Sequence, residues 1–394
     1  MKATVIGFTH SHIDQGEDFS LDNLARFAGA QGGICYMKDR YFGTYVSDPE
    51  KALKRFGTII PTGHHSVADH STVTMLLEGI PKIVAMYLNN LTVYATSEKS
   101  GRYTEMVGNT VEEVELYNKW HKIFTEQIVK IYGDKIDEKT VDKLAKENAR
   151  YFLSVFTPVT MSYTTNIRQW NYIMDWLDRF DYSQFREGYF KEELKKHFSE
   201  LRAELEALRI DILRDHKGRN GLNLVNNERI MSATEQFGET YAILYETTFV
   251  GLAQAHRHRT LKYNIYFDGE SKGFFVPPII EGTELEKEWL HDMSKVAHLI
   301  PQGTEVMVLE RGDTEDFFLK VKERICGRAQ IEIARQTDST VRRFAEHKSE
   351  MPNYLQNIIE DYVRKDGTPK AKCELLKCRE VCVWGSRDAV NRKI

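Results

Sequence analysis

The chain has 394 residues, of which 41% are hydrophobic and 28% charged, and its formal net charge is −4. This composition is typical of a globular protein that can bury a sizeable core, and the length favours two domains. The small excess of acidic residues gives no support to a nucleic-acid-binding surface.

The sequence also indicates a compartment. The first residues turn polar too quickly for a signal peptide, and no later run approaches the roughly 20 apolar residues of a membrane span. The five Cys, an odd number, agree with a reducing environment and argue against a disulfide framework. We therefore predict a cytoplasmic protein without membrane or nucleic-acid partners.

The first part of the chain alternates strand-like and helical patterns. A strand-like opening at Thr4–Phe8 precedes helical patterns at Leu21–Ala30 and Pro49–Phe56. A strand is predicted at Ser71–Glu78 and a helix at Pro81–Asn89, where proline suits a first helical turn. This alternation indicates α/β or α+β layers.

Two polar segments of this part are candidates for ligand contact. Three His and an Asp lie within Gly63–His70, but their spacing is not that of a helical zinc site, so no metal is predicted. A loop around a cofactor and a structural turn both fit this segment. In Ser97–Tyr103, Ser100 and Arg102 suit a phosphate and Tyr103 suits stacking, although a plain loop explains the pattern equally well.

The middle of the chain is mainly helical. We predict a helix at Thr140–Phe156, on which Glu147 and Arg150 lie together off the buried stripe. The strongly periodic stretch Leu194–Ile212 predicts an amphipathic helix that packs the two halves together. The polar, glycine-containing segment 215–221 is the predicted domain boundary.

The second half contains an apolar run, Phe237–Ala255, interpreted as a helix that ends in the basic motif Gln254–Arg259. Such a motif suits a phosphate or carboxylate, and a solvated basic helix end is the alternative. Residues Arg324–Arg335 predict a second helix, whose three Arg share one stripe and require either protein carboxylates or an anionic ligand. Near the end, Cys373, Cys378 and Cys382 lack the paired spacing of a zinc site and are predicted to be small buried residues.

These motifs resemble those of flavin-dependent thymidylate synthases, whose signature R-H-R-x-x-S-x-N-E-x-S-x-R-Y is divided here between the halves. The second half keeps R-H-R at Arg257–Arg259, and Asn264, but has Lys262 at the first Ser position. The first half keeps Glu98 and the S-G-R-Y of Ser100–Tyr103. Each half therefore keeps what the other has lost.

Further blocks match the same family. The first half has H-x-[ST]-x-x-E-H at His64–His70 with Asp in place of Glu, E-x-A-R at Glu147–Arg150, and T-x-N-x-R ending at Arg168. The second half has R-x4-A-Q-x-E-I beginning near Arg324, with Arg328 where His is usual. Complementary retention of each block argues against simple decay of a duplicated gene product.

The resemblance implies an α/β (α+β) chain of two tandem thymidylate synthase-like domains, residues 1–215 and 216–394, each a mainly antiparallel sheet packed with helices. The family assembles as a homotetramer with active sites where subunits meet. We therefore expect a homodimer that imitates the tetramer, in which R-H-R is completed by S-G-R-Y from the earlier domain of a second chain.

The resemblance also assigns roles to residues. FAD would be held by Arg257, His258, Arg259, His64, Ser66, Asn166 and Arg328. The pyrimidine nucleotide would be held by Gln254, Glu98, Ser100, Arg102, Arg150 and Arg324. Ser100 and Arg324 would act in catalysis, Arg324 by polarising the uracil ring.

The activity implied is C5 methylation of deoxyuridine monophosphate (dUMP), with methylenetetrahydrofolate as carbon donor and NADPH as reductant of the flavin. Extra cations at Lys262 and Arg328 leave open a paralogue that modifies another pyrimidine deoxynucleotide. A non-catalytic flavin- or nucleotide-binding relative is the third interpretation.

Overall fold

The computed structural model describes residues 1–9, 19–34, 37, 48–91, 93–104, 106, 110–208, 210, 224–225, 230, 232–378, 382–386 and 388–394. These residues form a mixed α/β structure with two sheets, in which all paired strands are antiparallel. The predicted fold class is thereby confirmed. No helix of the described residues is long and apolar enough to cross a membrane.

The elements follow in chain order. The first half contributes β1 (Lys2–Phe8), α1 (Leu21–Gln31), α2 (Pro49–Ile59), β2 (Thr72–Pro81), α3 (Lys82–Leu88), β3 (Ala95–Glu98), α4 (Val111–Tyr132), α5 (Glu138–Ala149), β4 (Pro158–Asn166), α6 (Ile167–Asp178) and α7 (Tyr189–Ala207). The second half contributes β5 (Thr240–Thr248), α8 (Phe249–Ala255), β6 (Lys262–Tyr266), α9 (Glu284–Val296), β7 (Glu305–Asp313), α10 (Thr314–Arg324), α11 (Ile331–Glu346), α12 (Asn353–Tyr362) and α13 (Lys372–Leu375).

The chain forms two compact units that do not follow the predicted split after residue 215. Unit 1 comprises Met1–Lys99, Pro158–Ser183 and Glu192–Leu222. Unit 2 comprises Ser100–Thr157, Gln184–Lys191 and Asn223–Ile394. Helices α4 and α5 of the first half thus belong to the unit that contains most of the second half. The predicted boundary segment 215–221 lies outside the described residues, and the tandem origin of the halves stays a prediction.

Unit 1 is built on a four-stranded sheet in the order β1-β2-β4-β3. Alternate residues of β2 (Val73, Met75 and Leu77) are fully buried, as expected for a strand with one face on a core. The Trp170 indole on α6 donates to the Val73 carbonyl at 3.1 Å, which fixes that helix against the sheet. Phe198 of α7 packs in the same unit, with its ring centroid 5.3 Å from that of Tyr87.

Unit 2 combines the three-stranded sheet β5-β7-β6 with a large aromatic core. The Trp120 ring of α4 meets the Trp289 ring of α9 edge to face, with centroids 4.8 Å apart. The Trp120 indole also donates to the buried Asp292 carboxylate at 2.9 Å. Phe124 and Phe152 fill the same cluster. Burial of these rings joins α4 and α9 across more than 150 residues of sequence.

Three helix predictions are wrong in part. Within Phe237–Ala255, β5 takes the first part because it pairs in continuous register with β7, and only α8 is helical. The helix predicted at Arg324–Arg335 is instead two helices, with a break at Ile325–Gln330. Gly327 lies at this break, and a Cβ there would come within 2.5 Å of Trp384. The helix predicted to reach Phe156 ends at Ala149, followed by a single 3-10 turn.

The late Cys are less buried than predicted. Cys373 and Cys382 are exposed, and Cys378 is half-buried, because they lie on a terminal segment at the surface of unit 2. The described residues contain no group of three or more His, Cys, Asp or Glu side chains placed to hold a metal ion.

Candidate anion-binding site

The S-G-R-Y turn positions Arg102 in unit 2. The Ser100 hydroxyl accepts a hydrogen bond from the Arg102 amide at 3.3 Å, and the turn brings Gly101 against Arg150, whose Cδ would lie 3.3 Å from a Cβ at Gly101. The Arg102 guanidinium donates to the buried Glu147 carboxylate at 2.8 Å and to the Arg328 carbonyl at 2.7 Å. A side chain at this position would be tightly packed against Met106 and Arg150.

The pairing of Arg102 with Glu147 fixes the charge of both groups. Burial raises the pKa of the Glu147 carboxyl, but the nearby Arg102 and Arg150 guanidiniums outweigh burial, and its pKa falls below the ordinary value. Burial lowers the pKa of the Arg102 guanidinium, but the Glu147 carboxylate raises it by more. The pKa of Arg102 therefore lies above its ordinary value. Both side chains remain charged near neutral pH.

Gln330 connects residues from both halves of the chain. Its side-chain oxygen accepts hydrogen bonds from Arg150 at 2.5 Å and from the Gln254 amide. Its side-chain nitrogen donates to the Tyr151 hydroxyl at 2.5 Å. One glutamine side chain, through its carbonyl oxygen and its amide nitrogen, thus links the turn after α5 in the first half to α8 in the second.

Glu332 stabilises the junction between β5 and α8, the helix that carries Gln254. Its carboxylate accepts from the Tyr151 hydroxyl at 2.8 Å, from the Thr248 amide at 2.6 Å and from the Thr247 hydroxyl. The Thr248 hydroxyl donates to the same carboxylate at 3.0 Å and caps α8 by accepting from two amides at 3.1 Å. Since α8 is only seven residues long, this cap determines where Gln254 lies.

His258 and Arg324 form the other end of the cluster. The Arg324 Nε donates to His258 Nε2 at 2.7 Å, and its Nη2 donates to the Gln254 carbonyl at 3.3 Å. Burial, together with the charges of Arg324 and Lys320, lowers the pKa of His258 to about 2. The imidazole is therefore neutral and acts as an acceptor, whereas the guanidinium supplies the positive charge.

Two buried polar atoms in this cluster lack a partner. Among the described residues, neither the Arg150 Nε nor the Gln254 Oε1 makes a hydrogen bond. No described carboxylate forms a salt bridge with Arg150 or Arg324. Buried polar atoms without hydrogen bonds are costly, and a bound ligand with an acceptor for the Arg150 Nε and a donor for the Gln254 Oε1 would satisfy both.

The predicted nucleotide residues are brought together within one chain. Arg150, Gln254 and Arg324 lie in one hydrogen-bonded cluster of unit 2. Arg102 lies in the same unit and is hydrogen-bonded to Glu147 and to the Arg328 carbonyl. The expectation that S-G-R-Y of a second chain completes the R-H-R motif stays a prediction. Hereafter the name arginine cluster refers to Arg102, Arg150, Gln254 and Arg324 together with His258, Gln330 and Glu147.

The other predicted residues lie outside the arginine cluster. Three flavin candidates in unit 2, Arg257, Arg259 and Arg328, have exposed side chains. In unit 1, His64 and Ser66 are exposed at a 3-10 turn.

Two further predicted residues in unit 1 already have partners. The Asn166 side chain accepts from the Gln169 amide at 2.9 Å and caps α6. Glu98 forms an ion pair with Lys82 at 2.5 Å and accepts from Asn89 at 3.4 Å. The Glu98 carboxylate is thus held within unit 1, whereas Ser100 and Arg102, two and four positions later, belong to unit 2.

Sequence reasoning missed the residues that hold the arginine cluster together. Gln330 and Glu332 were recognised only as letters of a motif, and Tyr151 was not recognised at all. A signal existed for Glu332, since a lone acid beside apolar residues at a helix start suggests a buried partner. None existed for Tyr151, whose hydroxyl acquires its role only from the packing of α5 near α11.

The arginine cluster places guanidinium donors at one end, with a neutral imidazole and a carboxamide beside them. Residues 23–178 match the family described as Thymidylate synthase complementing protein. The match covers less than half of the chain, which is similar to flavin-dependent thymidylate synthases.

Curated relatives give the degree of similarity. The chain is 28% identical over 134 residues to the flavin-dependent thymidylate synthase of Pyrococcus furiosus, covering 31% of this chain and 52% of that protein. It is 27% identical over 133 residues to the one from Thermococcus onnurineus, covering 31% and 51%. The chain thus spans about half the length of the curated relatives it matches.

Solved structures are more distant. The Helicobacter pylori flavin-dependent thymidylate synthase complexed with FAD and dUMP matches with a TM-score of 0.30 and 15% identity, over 52% of this chain and 99% of that one. A UMP/dUMP methylase from Streptomyces cacaoi matches with a TM-score of 0.29 and 15% identity, over 53% and 92%.

Proposed function

We propose that the protein is a flavin-dependent thymidylate synthase that methylates dUMP at C5 to give dTMP. Methylenetetrahydrofolate is the carbon donor, and FAD, reduced by NADPH, supplies the hydride. The observation that carries this proposal is the arginine cluster, in which motif residues retained separately by the two halves meet in one hydrogen-bonded site.

The arginine cluster suits a nucleoside monophosphate. The Arg150 Nε offers one unused buried donor for a phosphate oxygen, and the Ser100 turn adds a hydroxyl. The unpaired Gln254 Oε1 accepts from a sugar hydroxyl or a base N–H. Arg324 then polarises the uracil ring, because a guanidinium stabilises charge that develops on a carbonyl or ring nitrogen.

The residues proposed for FAD fit an anionic cofactor. In unit 2, Arg257, Arg259 and Arg328 present exposed guanidiniums that suit a pyrophosphate. In unit 1, considered by itself, His64 and Ser66 present exposed polar groups. The side-chain oxygen of Asn166 is used by the α6 cap, so only its amide nitrogen is available to a flavin. FAD bound by these residues carries the redox chemistry, while the protein binds and orients the reactants.

The proposed assembly is a cytoplasmic homodimer that imitates the family tetramer. A tandem chain corresponds to two family subunits, so a dimer of such chains corresponds to the four subunits of the tetramer. Within one chain, Arg150, Gln254 and Arg324 are already joined by hydrogen bonds. A second chain would complete the flavin site.

A test uses Arg324→Ala, with Lys322→Ala as a control that removes a cation from the same helix. Arg324→Ala should lower the rate of dTMP formation by about a hundredfold or more, because loss of one preorganised donor costs roughly 3 kcal/mol in a transition state. Bound FAD, measured from the visible spectrum, should stay within about twofold of the wild type, and Lys322→Ala should retain both. Equal losses of turnover and flavin in Arg324→Ala would refute the role of Arg324.

The two alternatives give different outcomes. A paralogue for another pyrimidine deoxynucleotide would fail to rescue a thymidine auxotroph. The flavin spectrum of the purified protein would nevertheless change when that nucleotide is added. A non-catalytic relative would show neither rescue nor turnover with any nucleotide. The cations at Lys262 and Arg328, absent from the family pattern, favour the paralogue over the non-catalytic relative because they enlarge the anion-binding surface.

A further inference from the structure

A second cavity in unit 2, with a volume of about 350 Å³, lies beside the arginine cluster. It is enclosed by α5, by the loop after α10 and by the segment around Trp384. Arg102 and Arg328 line it, but Arg150, Gln254 and Arg324 do not. We call it the lysine cavity, because Lys139, Lys143 and Lys146 of α5 line one side.

The lysines lie on one face of α5, since they are spaced by four and then three residues. Two carboxylates also line the lysine cavity, and both are engaged. Asp142 pairs with Lys146 at 2.7 Å, and Asp137 caps α5 by accepting from the Thr140 amide at 2.7 Å. Among the described residues, no carboxylate forms a salt bridge with Lys139 or Lys143. The lysine cavity therefore has an excess of positive charge.

The positive charges of the lysine cavity affect the ammonium group of Lys143. Burial lowers the pKa of its ammonium group, and the charges of Arg102 and Arg328 lower it further, against the opposing effect of Glu147. Its Nζ lies 5.0 Å from the centroid of the Tyr103 ring, a position that supplies only weak compensation. An anion in the lysine cavity would relieve this repulsion.

The opposite side of the lysine cavity is apolar. Leu144, Ala329, Val383 and Trp384 line it. The Trp384 ring is only 9% exposed and is fixed on one side by Gly327, where any side chain would collide with it. On another side it meets the Tyr132 ring edge to face, with centroids 4.8 Å apart. A rigid aromatic wall facing cations suits a ligand with a ring at one end and anionic groups at the other.

We propose that the lysine cavity binds a nucleoside polyphosphate, with the phosphates on Lys139, Lys143 and Arg328 and the base against Trp384. The volume is within the usual range for small-ligand sites. Several phosphates match three cations better than one does, and the aromatic wall distinguishes a nucleotide from a simple inorganic anion. The lysine cavity shares Arg102 with the dUMP site and Arg328 with the flavin residues proposed above, but its lysines belong to neither.

The experiment compares two double charge reversals in the full-length protein. Lys139→Glu/Lys143→Glu alters the lysine cavity, and Lys122→Glu/Lys130→Glu makes the same charge change on the exposed face of α4. ATP and inorganic tripolyphosphate are titrated calorimetrically into each protein, and circular dichroism confirms folding. The lysine-cavity variant should bind ATP about tenfold more weakly or worse, and the α4 variant within about twofold of the wild type.

Three results would overturn the proposal: no ATP binding to the wild type, equal weakening in the two variants, or tripolyphosphate binding as tightly as ATP. A parallel titration with dUMP separates this site from the proposed function. Binding of dUMP should weaken less than binding of ATP in Lys139→Glu/Lys143→Glu, because Lys143 interacts electrostatically with Arg102 but is not itself proposed to contact dUMP. A protein that binds ATP in the lysine cavity but never binds dUMP would leave this inference intact and remove the proposed function.

Discussion

His258 shows how surroundings determine the chemistry of a single residue. In the sequence it stands between two arginines and suggests a third cation. In the structure the Arg324 Nε donates to it, and burial with nearby charges lowers its pKa to about 2. A basic motif therefore contains a neutral acceptor that orients the Arg324 guanidinium.

This neutral histidine makes stability depend on pH. Its pKa is lower in the folded chain than the ordinary 6.5, so the unfolded chain binds more protons below that value and stability falls as pH falls. Between pH 7 and pH 5 the wild type should lose about 1–2 kcal/mol through His258.

Urea unfolding at pH 7 and pH 5 measures this loss. His258→Gln should lose less stability over the same interval than the wild type. His291→Gln, which changes an exposed histidine of the same unit, should follow the wild type. An identical pH dependence for His258→Gln and the wild type would show that His258 is protonated in the folded protein.

At the scale of elements, a buried ion pair connects β7 to α10. Lys320 donates to Glu310 at 2.7 Å, and both side chains are fully buried. Glu310 also accepts from the Tyr241 and Tyr245 hydroxyls at 2.8 and 2.7 Å. Because Lys320 lies one turn before Arg324, this network determines how the end of α10 presents its guanidinium.

Loss of one partner should be costly, since it leaves an uncompensated buried charge. Lys320→Met should destabilise the protein by about 3–5 kcal/mol. The double variant Lys320→Met/Glu310→Gln removes the charge but keeps an acceptor for the tyrosines, and should recover at least about 1 kcal/mol of that loss. Denaturant unfolding of the two variants measures the difference. A double variant no more stable than Lys320→Met would show that the ion pair contributes little.

At the scale of the whole molecule, the compact units cross the sequence halves. The core of unit 2 contains Trp120, Phe124 and Phe152 of the first half together with Trp289 and Met293 of the second. Residues 216–394 expressed alone therefore lack about half of that aromatic cluster and leave apolar surface exposed.

That fragment should not unfold cooperatively, because burial of the missing rings contributes several kcal/mol each. Circular dichroism during urea unfolding is the measurement, with the full chain as reference. A cooperative transition for the fragment alone would support independent folding of the predicted second domain and contradict the division into units.

The sequence by itself determined the fold class, most helices and strands of the first half, and the residue types of the site. These follow from local periodicity and from motifs, which persist wherever the chain packs. It could not determine that α4 and α5 join unit 2, that the helix predicted after Arg324 breaks at Gly327, or that Tyr151 and Gln330 connect the motifs. Those outcomes depend on contacts between residues about 180 positions apart, which only tertiary packing creates.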